Sequence, residues 1–322
     1  MRLVFIMDPM DRVHPQKDTT FALQRAAQRR AHVALHCEAR DVYMVGGEAW
    51  ARVRPVRVSD SAPHFVHGAP EDVRLADVEC VFIRKDPPFD AEYLYLTLML
   101  ETLRGRTLVL NDPRGLRDAN EKLYTLNFAR YMPKTLVASD RDRIHAFIAS
   151  VGEAVVKPLD GAGGSGVMTV SKSDRNTRSI VDAITGEGRR HAMVQEYVPA
   201  VRAGDKRVLL LEGQVLGAIN RIAREDDVRS NIHAGGRVEP CEVTESERRI
   251  IADMGPRLLA DGLIFVGLDF IGGKLTEVNV TSPTGIQELS RHVGRDVSES
   301  VIAWIERRTT DYRPVLASRP PI

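Results

Sequence analysis

The sequence predicts an α/β protein of about two domains that opens with an open parallel sheet, and three observations point there. The continuous apolar run LVFIM at 3–7 ends at Asp8 and Pro9, as a strand buried on both faces does. Residues 19–30 follow with helical spacing at Phe21, Leu23, Ala26 and Ala27, and a second strand pattern at 32–37 completes a βαβ unit. The chain has 322 residues, enough for a second module after this one.

Ligands of open α/β sheets sit beyond the carboxyl ends of the strands, so Asp8 and residues 17–20 are candidates for substrate contact. No GxGxxG follows the first strand, which argues against a dinucleotide site. Residues 42–58 read as a β-hairpin around Gly46-Gly47. A buried strand at 81–83 runs straight into RKDPPFD at 84–90, where charges followed by two prolines make a stiff, exposed corner suited to function. A helix at 91–104 and a strand at 107–110 close the first domain, with a boundary near 111–120.

Asn120 caps a helix that Pro133 ends, and a strand follows at 134–138. After a helix at 141–151 come AVVKPLD at 154–160, the glycine run GAGGSG at 161–166 and a strand at 167–170. Successive backbone N–H groups in such a loop can cradle phosphates. It is not a P-loop, because the lysine precedes the glycines and the next element reads as a strand. A helix at 177–185 and a strand at 193–199 lead into a hinge, then into strands at 208–212 and 215–219 around Gly213. Residues 222–237 are polar, carry Arg224, Arg229 and Arg237, and lack apolar periodicity, so they read as a mobile lid. A helix at 246–261, a final helix at about 298–307 and a loose tail at 313–322 complete the chain.

Composition narrows the class. Lys+Arg 45 against Asp+Glu 44 leaves a net charge of +1, so nothing global points to nucleic acid or an acidic membrane. Cys37, Cys80 and Cys241 lack metal spacing and fit free thiols in a reducing cytoplasm. No run reaches the ~20 apolar residues that a membrane helix needs, and the 3–7 run is too short for an export signal. No Ser/His/Asp or Cys/His set suggests a nucleophilic side chain.

The richest stretch is FVGLDFIGGKLTEVNVTSPTG at 265–285. Strands at 265–271 and 275–280 flank Gly272-Gly273-Lys274, and they carry the oxygen ligands Asp269, Glu277 and Asn279. A three-residue loop pairs Asp269 with Glu277 and Gly267 with Asn279, leaving Val266, Leu268, Phe270, Val278 and Val280 on the other face. A one-residue slip would bury carboxylates among apolar groups, so this register is the expected one. Two carboxylates and an amide on one patch suit Mg²⁺ or Mn²⁺ rather than Zn²⁺.

Taken together, RKDPPFD, NEKL at 120–123, KPLDGAGGSGV at 157–167, GDKRV at 204–208 and GLDFIGGKLTEVNVTSPTG at 267–285 resemble the ATP-grasp carboxylate–amine ligases, most closely the bacterial glutathione synthetase family. The resemblance covers about residues 1–306. It implies a pre-ATP-grasp domain at 1–119, an ATP-grasp module with subdomains at 120–195 and 196–312, and ATP held between two antiparallel sheets.

The same resemblance implies the site. Lys122 and Lys157 would neutralise phosphates, with Gly161, Gly163, Gly164, Ser165 and Gly166 closing over them. Gln195, Glu196, Tyr197 and Val198 would read adenine, and Asp205 the ribose. Asp269, Glu277 and Asn279 would hold the metal. Arg207 and Arg221 would stabilise the oxyanion, while Asp8, Arg84, Arg229, Asn231, Ser282 and Thr284 would bind substrate. The implied reaction joins γ-glutamylcysteine to glycine through an acyl phosphate in a cytoplasmic homo-tetramer. His233 departs from the pattern, because R-S-N-(I/L)-H also occurs in relatives that add glutamate to ribosomal-protein tails. Those relatives as a rule lack the RKDPPFD corner, which keeps glutathione synthetase ahead.

Overall fold

A strand covered on both faces needs apolar residues along its covered length, and β1 (Arg2–Ile6) is such a strand from Leu3 onward. Its Val4 and Ile6 enter one core while Leu3 and Phe5 enter another. The computed structural model describes residues 1–161, 163–223 and 236–317, with backbone alone for 311–317. Of the loop expected at 222–237, Ile222 ends one strand and Arg237 begins another, while Arg224, Arg229, Asn231 and His233 lie outside the described residues.

The first unit contains β1, α1 (Thr19–Arg29), β2 (Val33–Cys37), β3 (Val42–Val45), β4 (Glu48–Val58), β5 (Phe65–His67), β6 (Glu71–Arg74), β7 (Cys80–Ile83), α2 (Ala91–Glu101), β8 (Leu108–Leu110) and α3 (Pro113–Asp118). Its sheet runs β3-β4-β2-β1-β7-β8, with β5 and β6 paired to β4. The β1–β2, β1–β7 and β7–β8 pairs are parallel, as the βαβ pattern predicts. The carboxyl ends of β1 and β7 therefore point the same way, placing Asp8 and the RKDPPFD corner side by side.

The second unit contains β9 (Thr135–Ala138), α4 (Arg141–Val151), β10 (Glu153–Pro158), β11 (Met168–Ser171), α5 (Thr177–Thr185) and β12 (Ala192–Glu196). All its strand pairs are antiparallel, in the order β11-β10-β12-β9. The third contains β13 (Asp205–Leu211), β14 (Gln214–Ile222), β15 (Arg237–Pro240), α6 (Glu245–Ala260), β16 (Phe265–Ile271), β17 (Lys274–Asn279), α7 (Ile286–Val293) and α8 (Ser298–Ala317). Its antiparallel sheet runs β15-β14-β13-β16-β17.

The hairpin carries the expected register by another route. Gly267 pairs with Asn279, Leu268 with Val278 and Asp269 with Glu277. The turn is shorter than expected, however, because Ile271 pairs directly with Lys274. Gly272 and Gly273 both have positive φ, 57° and 76°, which a two-residue turn of this kind requires. A bulge between Asp269 and Phe270 then restores the alternation. Val266, Leu268, Phe270, Val278 and Val280 share one core, as the alternation predicts.

Other expectations are corrected. Asn120 does cap the next segment, through Oδ1 to the Lys122 and Leu123 N–H groups, but that segment is a kinked 3₁₀ stretch at Tyr124–Tyr131. Helices α3 and α7 are not anticipated in the sequence. Part of the expected loose tail, 313–317, continues α8, whose earlier residues Val301, Ile302 and Ile305 pack into the core shared with α1. Ion pairs flank that contact: Arg29 Nε to Glu299 at 2.9 Å, and Glu306 to both Arg30 and His32.

Candidate active site

A cavity of about 490 Å³ opens between the second and third sheets, within the size range of small-molecule and cofactor sites. One wall is built by β10 and β12. Lys157 reaches in from β10, and Val155 joins Val198, Val201 and Ile271 as an apolar lining at the hinge. The Glu196 and Tyr197 N–H groups are paired with the Lys134 and Glu153 carbonyls, so this stretch faces a ligand through other groups. Gln195 is buried and donates to Thr135 Oγ1 at 3.1 Å, a bond to the protein rather than to the cavity.

The glycine loop approaches the same wall. Its Gly163, Gly164 and Gly166 have φ of 64°, 78° and 72°, a left-handed backbone that side chains disfavour. Gly161 and Gly163 line the cavity, and the Gly161 carbonyl accepts from Lys122 Nζ at 2.5 Å. Ser165 and Gly166 are exposed and stand outside the lining, so their expected part in closing over a ligand needs the loop to move.

The opposite wall is a charge network set by strand register. Arg207 on β13 lies directly across from Asp269 on β16, and Asp205 on β13 lies across from Arg221 on β14. Arg207 grips Asp269 with a two-pronged fork, Nε to Oδ1 and Nη2 to Oδ2, both at 2.7 Å. Arg221 Nη2 stands 3.0 Å from Asp269 Oδ2 and 2.7 Å from Asp205 Oδ2. Burial raises the Asp269 carboxyl pKa, but the two guanidiniums together outweigh it and hold that group well below the usual carboxylate range. For Asp205 burial dominates, and its carboxyl is pushed up despite Arg221.

These oxygens can be tested as a metal site on their free valences. Asp269 Oδ2 accepts from Arg207, Arg221 and Asn279, whereas among the described residues its Oδ1 accepts from Arg207 alone. Asn279 donates through Nδ2, which leaves its amide oxygen for a ligand. Glu277 is a quarter exposed, and Lys157 Nζ stands 3.8 Å from it. One oxygen from each residue is thus available on the cavity wall, and the hard oxygen set fits a divalent cation such as Mg²⁺.

The acid-substrate candidates are only partly brought together. Ser282 and Thr284 line the cavity. Ser282 Oγ donates to the Asp86 carboxylate, and the Asp86 N–H donates to Asp8 Oδ2 at 2.9 Å. Arg84 does not open on the cavity as expected, since it is 3% exposed. Its Nε donates to Thr20 Oγ1 and its Nη2 to the Pro283 carbonyl, both at 3.0 Å, so it ties the first unit to the segment after β17. Two rings, Phe82 and Phe265, flank the guanidinium. Its Nη1 has no hydrogen-bond partner among the described residues.

Three contributors escape a linear reading. Glu121 lines the cavity although only its neighbour Lys122 stood out as a phosphate lysine. Thr281 Oγ1 donates to Glu121 Oε1 at 2.9 Å. Gln287 on α7 donates to the Pro15 and Asp18 carbonyls at 2.9 and 2.6 Å, fixing the loop before α1. The NEKL motif could have pointed to Glu121, but nothing local announces Gln287.

Known proteins match the chain over nearly its whole length. Residues 1–117 match the N-terminal domain of prokaryotic glutathione synthetase, and residues 121–294 match its ATP-grasp domain. A glutathione synthetase of Synechocystis sp. is 43% identical over 319 residues, 96% of this chain and 100% of that protein. One of Salmonella typhimurium is 41% identical over 311 residues, covering 96% and 99%. Among solved structures, D-cycloserine synthetase DcsG matches 95% of this chain and 99% of its own, with TM-score 0.65 and 18% identity. A RimK domain ATP-grasp protein from Sphaerobacter thermophilus matches 95% and 99%, with TM-score 0.57 and 18% identity. At such identities the structural likeness speaks for the fold alone.

Proposed function

The chain belongs to the prokaryotic glutathione synthetase family, and on that premise we propose how the residues of its cavity divide the work of joining γ-glutamylcysteine to glycine. The protein is an ATP-grasp ligase that makes glutathione by ATP-dependent ligation. The observation that carries the residue assignment is the convergence of Lys122, Lys157, Arg207 and Arg221 with the oxygens of Asp269, Glu277 and Asn279 on one cavity.

Lys122 and Lys157 place ammonium charges against the nucleotide phosphates, beneath the Gly161–Gly166 loop with Ser165 at its tip. The apolar lining around Val198 receives adenine, with Gln195, Glu196 and Tyr197 shaping that end, and Asp205 receives ribose. Asp269, Glu277 and Asn279 hold Mg²⁺ or Mn²⁺, which when bound offsets charge on the transferring phosphoryl group. Arg207 and Arg221 face the carboxylate as it becomes an acyl phosphate and steady the oxyanion during amine attack. Asp8, Ser282 and Thr284 hold the dipeptide, and the enclosed Arg84 fixes the segment after β17 behind them. Positioning and charge perform the chemistry, without a nucleophilic side chain.

The division into units at 1–119, 120–195 and 196–312 belongs to the same proposal, as does a cytoplasmic homo-tetramer. The exposed apolar residues Leu94, Tyr95 and Leu98 on α2 support assembly. Among the described residues no helix is long and apolar enough to cross a membrane. An ADP-release assay over a panel of acids and amines tests the assignment. Among amino-acid acceptors, turnover with γ-glutamylcysteine is expected only with glycine. Preference for a glutamate acceptor would favour the type that modifies ribosomal-protein tails.

A further inference from the structure

Glu121 is a carboxylate on the cavity wall that the phosphate, metal and acid-substrate assignments leave unused. Its place is fixed twice. The backbone carbonyl accepts the Val278 N–H at 3.2 Å, and Val278 lies between Glu277 and Asn279 on the metal strand. The side chain accepts from Thr281 Oγ1 at 2.9 Å. Among the described residues it forms no ion pair, although Glu277, Lys122 and Arg207 all lie near it. The neighbouring cations are engaged elsewhere, Lys122 on the Gly161 carbonyl and Arg207 on Asp269. A largely buried carboxylate without a counter-charge calls for a cationic ligand.

Two other cavity carboxylates also lack ion pairs among the described residues, but they stand in other places. Glu196 lies at the hinge end of β12, and Asp86 lies at the first-unit corner, where it accepts from Ser282. Glu121 is tied through its carbonyl to Val278 on the strand of Glu277 and Asn279, and it lies near Glu277 and Arg207, the residues assigned above to phosphoryl transfer. We propose that Glu121 binds the ammonium group of the incoming amine, glycine, and holds its nitrogen beside the acyl carbon. The proposal rests on the ligase reading above. In the step it serves, one N–H proton is lost to solvent, the N–C bond forms, and the C–O bond to phosphate breaks. A second N–H proton leaves with the phosphate.

The test compares glycine with hydroxylamine, a small nucleophile that is uncharged at neutral pH and traps acyl phosphates as hydroxamates. Glu121→Gln keeps the acceptor for Thr281 and removes the charge. With γ-glutamylcysteine, ATP and Mg²⁺, the KM for glycine is expected to rise at least tenfold, and the hydroxamate-to-glutathione ratio to rise by a similar factor. Glu121→Asp, which restores the charge on a shorter stem, should recover part of the glycine KM. An unchanged ratio with both products reduced would overturn the proposal and make Glu121 a metal or structural residue. A shifted Mg²⁺ requirement with an unchanged glycine KM would do the same. If wild-type protein yields glutathione but no hydroxamate, the acyl-phosphate reading fails, and the glycine KM of Glu121→Gln still decides the role of Glu121.

Discussion

Replacing Asp269 by Asn separates what that residue does for the fold from what it does for the reaction. Asp269 is 3% exposed and is the shared counter-charge of Arg207 and Arg221. With Asp205, these side chains form a buried set of two cations and two anions. An asparagine in its place would keep the shape and one acceptor but leave one guanidinium charge uncompensated. Removing one partner of a buried pair costs about 3–5 kcal/mol, and the lower end applies here because one side of the network opens on the cavity. At about 2 °C per kcal/mol for a chain of this size, the melting temperature of Asp269→Asn should fall by roughly 6 °C. ATP without divalent metal should narrow that gap, because phosphate oxygens can satisfy the stranded arginines. Thermal denaturation of both proteins with and without nucleotide is the assay. A melting temperature within about 1 °C of wild type would refute the buried counter-charge argument.

Glu277→Gln is expected to abolish turnover while leaving the melting temperature nearly unchanged, since Glu277 is a quarter exposed with only a 3.8 Å approach from Lys157; near-normal turnover at ordinary Mg²⁺ would remove it from the ligand set. Gln287→Leu should loosen the loop before α1 and raise the KM for γ-glutamylcysteine several-fold with the KM for ATP unchanged, as steady-state kinetics would report. Glu306 pairs with Arg30 and His32, and hydrogen bonding from Arg30 leads in holding its carboxyl down to about 2. Its folded pKa is below its unfolded value, so its contribution is present above about pH 4.5 and is lost as pH falls toward 2. Glu306→Gln should therefore be less stable than wild type at pH 7, with the difference vanishing in acid. The stacked pair His36 and His67 has both pKa values lowered, by burial first. Its contribution is present above the unfolded value near 6.5 and is lost as pH falls below it, so replacing both by Phe should flatten the loss of stability between pH 7 and 5.

The parts of the fold legible in the sequence were those where periodicity and burial coincide. β1 reads as a buried strand because both its faces are covered, and the hairpin at 265–280 reads in register because only one pairing keeps its carboxylates out of the core. The bulge beside Asp269 was not legible, since a three-residue loop and a two-residue turn with a bulge give the same alternation. Chemistry that depends on strand order was also hidden. Arg207 and Asp269 are 62 residues apart and meet only because β13 pairs with β16. The corner arginine Arg84 looked exposed by composition, yet Thr20, Pro283 and two phenylalanine rings enclose it from distant parts of the chain.

The acyl phosphate is the step on which every assigned residue converges, and an isotope experiment reads it directly. γ-Glutamylcysteine labelled with ¹⁸O in its cysteinyl carboxylate should deliver one labelled oxygen to inorganic phosphate for each glutathione formed with ATP and glycine. Glutathione formed with unlabelled phosphate would contradict phosphorylation of the carboxylate and the roles given to Arg207, Arg221 and the metal-binding oxygens.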